Sequence, residues 1–90
     1  MRNRKIFWYV ALCRQNGEYS YFLGLDRGYR DSYRKLIRER GGEIVGESFD
    51  VKDKRWKNKK EELNRLVARA NMNGRSINVQ EELDAIFEEY

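Results

Sequence analysis

The ninety residues predict one small α+β domain, a three-stranded and mainly antiparallel sheet with three helices in the order β-β-α-β-α-α. Three observations carry this. Two β-rich runs flank Asn16-Gly17, a dipeptide that suits a two-residue type I′ turn because both central positions need positive φ. Residues 27–40 place Tyr29, Tyr33, Leu36 and Ile37 on one helical stripe, followed by Gly41-Gly42 as a helix stop. Residues 61–90 carry two further apolar periodicities of helical spacing, Leu63-Leu66-Val67-Ala70 and Val79-Leu83-Ile86-Phe87-Tyr90.

The turn fixes the hairpin register. Arg14 faces Tyr19, Leu12 faces Tyr21, Val10 faces Leu23 and Trp8 faces Leu25. These pairs share one sheet face. Phe7, Tyr9, Ala11, Cys13, Ser20, Phe22 and Gly24 share the other. Residues 43–51 predict a third strand, with Gly46 marking a bulge or a close contact. If that strand lies beside the first, the sheet order is 2-1-3 and every pairing is antiparallel. The helices then cover one face together, or divide between the two. The segment KDKRWKNKK reads as a basic loop, with Asn58 and Glu61 as a capping box opening the second helix. Residues 71–76 read as a turn. Asn78 with Glu81 repeats the cap signature ahead of the third helix.

Composition narrows the chemistry. The apolar share of 40% supports a packed core, and the charged share of 38% makes most of the surface ionic. The net charge of +4 divides unevenly: +6 over residues 1–40, +2 over 41–60 and −4 over 61–90. There is no histidine and one cysteine, Cys13, so zinc lacks ligands and no internal disulfide forms. That cysteine usage fits a reducing, cytoplasmic setting. No run reaches membrane-spanning length, and no signal peptide is visible. Cys13 lacks a histidine partner and reads as a small strand residue. A magnesium ion needs only carboxylates, and Asp50, Asp53, Glu61 and Glu62 lie close in sequence near the end of the third strand, but they read as a solvated loop and helix start. No cofactor is expected.

The basic residues are the informative feature. Arg27, Arg30, Arg34 and Arg38 recur at steps of three, four and four along the first helix. Lys52, Lys54, Arg55, Trp56 and Lys57 follow in the basic segment, with Lys59 and Lys60 behind them. Arginine suits bidentate phosphate contacts, and Tyr29 and Trp56 suit base stacking. The expected function is therefore non-catalytic binding of nucleic acid, DNA or RNA, by a monomer or homodimer. On this reading, removing Arg30 and Arg34 weakens binding and leaves the melting temperature almost unchanged. A second expectation is a protein-binding inhibitor or adaptor of the kind small viral genomes encode, acting on a nucleic-acid-processing complex.

The layout also resembles the GIY-YIG endonuclease family, on the strength of FWY at 7–9 and YFLG at 21–24. The resemblance implies metal-dependent DNA cleavage. Tyr9 and Tyr21 would be the tyrosines, Arg30 or Arg34 the arginine, and Glu62, ahead of Asn64, the metal ligand. The sequence departs from that pattern. Phe7 stands for the first glycine, the second motif has an extra residue, and the arginine spacing from Gly24 differs. A fragment, RERGGEIVGESFD followed by EELNRLV, is similar to part of a serine recombinase. Ala11 and Cys13 stand where that family needs arginine and serine, so it is set aside.

Overall fold

A computed structural model describes residues 6–26 and 28–87, with the backbone alone for 53–56. The element order is β1 (Phe7–Gln15), β2 (Glu18–Leu25), α1 (Arg30–Glu39), β3 (Glu43–Lys52), α2 (Asp53–Asn73), a 3₁₀ turn (Gly74–Ser76) and α3 (Val79–Phe87). The fold is α+β, and its sheet is fully antiparallel in the order β2-β1-β3.

Turn chemistry sets the hairpin. Asn16 and Gly17 both take positive φ, 53° and 80°. The register follows, with Arg14 opposite Tyr19, Leu12 opposite Tyr21, Val10 opposite Leu23 and Trp8 opposite Leu25. Because β1 is central, alternate residues feed two cores. Val10 and Leu12 pack with Leu63 and Leu66 of α2 and Val79, Leu83 and Ile86 of α3. Tyr9, Ala11 and Cys13 pack with Ile37 of α1, with Phe22 and Tyr33 around them. One helix thus covers one face, and two cover the other.

Helix α1 is shorter than residues 27–40. Gly28 takes φ 85°, which turns the chain just before the helix. The stop is a Schellman arrangement: Gly41 N–H donates to Arg38 O at 3.0 Å and Gly42 N–H to Ile37 O at 2.9 Å. Tyr33 lies directly on Gly24, where an added Cβ would sit 2.6 Å from the ring. Its hydroxyl donates to Leu25 O at 2.8 Å.

The pairing of β1 with β3 is irregular at two places. One break lies beside Gly46, and Gly46 is also where α3 approaches, since a Cβ there would lie 3.3 Å from Val79 Cγ1. The second places Phe49 and Asp50 opposite Tyr9 alone. Asp50 takes φ 52°, a conformation aspartate tolerates better than most residues.

One expectation is corrected. The basic segment is not a loop. Lys52 ends β3 and residues 53–60 form the first turns of α2, so Asn58 and Glu61 lie inside a helix and cap nothing. The segment contains neither Gly nor Pro, and Lys and Arg are good helix formers, so nothing local interrupts the helix. At the other end α2 runs through Asn71 to Asn73 before the 3₁₀ turn. The second cap is present as expected: Glu81 N–H donates to Asn78 Oδ1 at 3.1 Å.

Candidate functional site

The arginine stripe lies beside carboxylates rather than facing solvent alone. Arg30 is held by Asp26 through two hydrogen bonds, Nε to Oδ1 and Nη2 to Oδ2, both 2.8 Å. Its Nη2 also reaches Asp50 Oδ1 at 3.1 Å. Asp26 accepts a third bond, from Asp50 N–H at 2.8 Å, and its side chain is only 3% exposed. Arg34 grips Glu47 with Nε at 2.7 Å and Nη2 at 3.1 Å, while Nη1 meets Asp31 at 3.1 Å. The Tyr9 hydroxyl donates to the same Glu47 Oε2. Phe49 lies beneath both arginines, 4.2 Å from the Arg30 guanidinium and 5.5 Å from that of Arg34.

Two guanidinium groups therefore meet four carboxylates, so the middle of the α1 face carries no positive excess. The partners are Asp26, Asp31, Glu47 and Asp50, not the acids of α3. The expectation that Arg30 and Arg34 are dispensable for stability does not hold against this geometry, because Asp26 and Glu47 would be left partly buried with their principal cation gone.

Proton affinities reflect the same network. The Arg30 hydrogen bonds hold the Asp26 carboxyl below its ordinary value, against burial. Burial by itself would push Glu47 up, but the bonds from Arg34 and Tyr9 hold it below the usual range. Burial and the neighbouring Glu47 carboxylate push the Tyr9 hydroxyl well up, so it stays a donor. Both carboxylates are depressed on folding, so their stabilising contribution is complete above the unfolded carboxylate pKa of about 4 and is lost as pH falls through the folded values. Melting temperature is expected to be flat from about pH 7 to pH 5 and to fall below about pH 4. A flat profile down to about pH 2 would show that these pairs contribute nothing.

The remaining sequence-predicted residues lie towards opposite ends of α1: Lys52 is two residues past Asp50, which Arg30 contacts, and Arg38 is in the last turn. Arg38 is exposed, with no ion pair among the described residues. It precedes the Glu43 end of β3 in the chain, whereas Lys52 is the last residue of that ten-residue strand. Lys52 and Lys57 are exposed. Lys54, Arg55 and Trp56 lie on the first turns of α2, and their side chains fall outside the described residues, as does Arg27 altogether. Lys59 pairs with Glu62 at 3.3 Å.

The residues implied by the nuclease resemblance are split by the sheet. Tyr9 and both arginines lie on the α1 face. Tyr21 packs into the opposite core, and Glu62 is an exposed residue of α2 on that side. Among the described residues no cluster of three His, Cys, Asp or Glu could hold a metal ion. Cys13 is buried, and burial followed by the Glu47 charge pushes its thiol pKa up, which disfavours the reactive thiolate. No helix among the described residues is long and apolar enough to cross a membrane.

Three carboxylates that matter here went unnoticed in the sequence: Asp26, Asp31 and Glu47. The Asp26–Arg30 spacing of four and the Asp31–Arg34 spacing of three were available signals for helix-side pairs. Glu47 carried none, since its partner comes from a distant element. Compared with protein-family models, with curated proteins and with solved structures, the chain gives no significant match.

Proposed function

We propose that the protein binds nucleic acid without cutting it, and that the contact surface is the run from Lys52 to Lys60. One observation supports this above others. Six of these nine residues are Lys or Arg and one is acidic, and they occupy the end of β3 and the opening turns of a 21-residue helix. A helix start carries unsatisfied N–H groups and a partial positive charge, so the cations at its cap and first turn, Lys52, Lys54 and Arg55, oppose the helix by about 0.3–1 kcal/mol each. Lys52, the N-cap, offers no side-chain cap. A polyanion would offset that repulsion, and Trp56 supplies an aromatic ring within the same stretch for stacking. Arg30 and Arg34 serve the fold in this reading, and Arg38 is an outlying contact.

Binding of a short fluorescent single strand, followed by anisotropy, tests the proposal. Four to six phosphate contacts give a log–log salt slope of about −3 to −4, so affinity falls about 100-fold between 50 and 200 mM salt. A flat salt response sinks the phosphate mechanism.

A protein partner is the second reading. Tyr29 and Leu36, on one α1 stripe with Tyr33, remain 54% and 37% exposed, an apolar strip suited to a protein surface. Copurification that survives nuclease treatment favours this reading; loss of all partners on nuclease treatment favours the first.

A further inference from the structure

A three-stranded sheet in the order β2-β1-β3 leaves both β2 and β3 as edges. Each presents a row of outward N–H and C=O groups, which is a template for a further strand. The two-residue turn places Tyr19, Tyr21, Leu23 and Leu25 in the non-hydrogen-bonded pairs of the hairpin, so their peptide groups point away from β1. Asn71, on the last turn of α2, takes both groups of Tyr19. Its Oδ1 accepts from Tyr19 N–H at 2.6 Å and its Nδ2 donates to Tyr19 O at 3.1 Å. At the other end of β2, Leu25 O is taken by the Tyr33 hydroxyl. Between these two contacts only Tyr21 and Leu23 turn their peptide groups outward.

The β3 edge repeats the device. Gln80, on the first turn of α3, accepts from Glu47 N–H through Oε1 at 2.9 Å and donates to Glu47 O through Nε2 at 2.8 Å. The same Nε2 donates to Asp84 Oδ1 at 2.9 Å, which orients the amide. Nearer the end of β3, Asp50 N–H is taken by Asp26. A carboxamide offers one acceptor and one donor side by side, as a peptide of a neighbouring strand does; a carboxylate or an alkyl group cannot supply both.

We propose that Asn71 and Gln80 are edge locks, which hold the two sides of the sheet closed against strand pairing with a second copy of this chain. The observation is the paired one: two unrelated helices deliver the same two-bond carboxamide contact, one to each edge.

The test uses the full chain carrying Asn71→Ala and Gln80→Ala together, changes that keep both helices. Sedimentation over a range of concentration reads association, and amide hydrogen exchange reads the two locked peptides. The expected result is a mass that rises with concentration beyond that of the wild type, with Tyr19 and Glu47 amides exchanging about tenfold faster in dilute solution. A folded double variant with the wild-type mass throughout overturns the proposal. If the double variant does not fold, the wild type decides. Tyr19 exchanging more slowly than Tyr21 and Leu23 on the same edge supports the lock, and equal rates overturn it.

Discussion

Replacing Arg30 and Arg34 together with alanine is expected to lower the melting temperature by about 15 °C. The substitution removes the main cation from Asp26 and from Glu47, whose side chains are 3% and 21% exposed. Breaking a fully buried pair from one side costs about 3–5 kcal/mol. Arg30 and Arg34 are themselves 35% and 28% exposed, so solvent recovers part of that. A total near 3 kcal/mol is the appropriate scale, and each kcal/mol shifts a domain of this size by about 4–8 °C. Asp26 would keep the Asp50 N–H and Glu47 would keep the Tyr9 hydroxyl, which limits the loss. Thermal unfolding at neutral pH reads the outcome. A shift under about 2 °C would mean that the guanidinium groups stand free, and the α1 face would again be the natural place for an anion.

Neutralising the start of α2 should do the reverse. The variant Lys54→Gln, Arg55→Gln, Lys57→Gln and Lys60→Gln removes four cations and keeps good helix formers. Each lost phosphate contact flattens the single-strand salt slope by about 0.7. Four of them remove a slope of about 3, which at 0.1 M salt corresponds to a 10²–10³-fold weaker affinity. The melting temperature should hold or rise slightly, since Lys54 and Arg55 no longer oppose the dipole in the first turn of α2. Loss of affinity without loss of stability separates a binding surface from a structural one. A variant that binds as tightly as the wild type places the contact elsewhere.

The parts of the fold that were legible in the sequence are those with local causes. Asn16-Gly17 determines its own turn, and the turn determines the register of eight residue pairs. Gly41-Gly42 stops α1, and Asn78 with Glu81 starts α3, each by contacts within a few residues. The start of α2 was misread because a dense run of lysines resembles a solvated loop, while its actual constraint is only that nothing in it breaks a helix. The site was less legible. The stripe of arginines is real as spacing, but its charge depends on Glu47 and Asp50, thirteen and twenty residues away on β3. A sheet pairing brings them under α1, and no helical periodicity announces that. The carboxamide contacts of Asn71 and Gln80 are likewise invisible, because an exposed amide on a helix has no sequence signature of what lies across from it.

The most direct measurement is a backbone amide map by NMR of the labelled chain titrated with an unlabelled single-stranded oligonucleotide. The account predicts that the shifts concentrate between Lys52 and Lys60, grow with added strand and vanish at high salt. Shifts gathered on Arg30, Arg34 and Arg38 with residues 52–60 unchanged would contradict it, as would a titration that moves no amide at all.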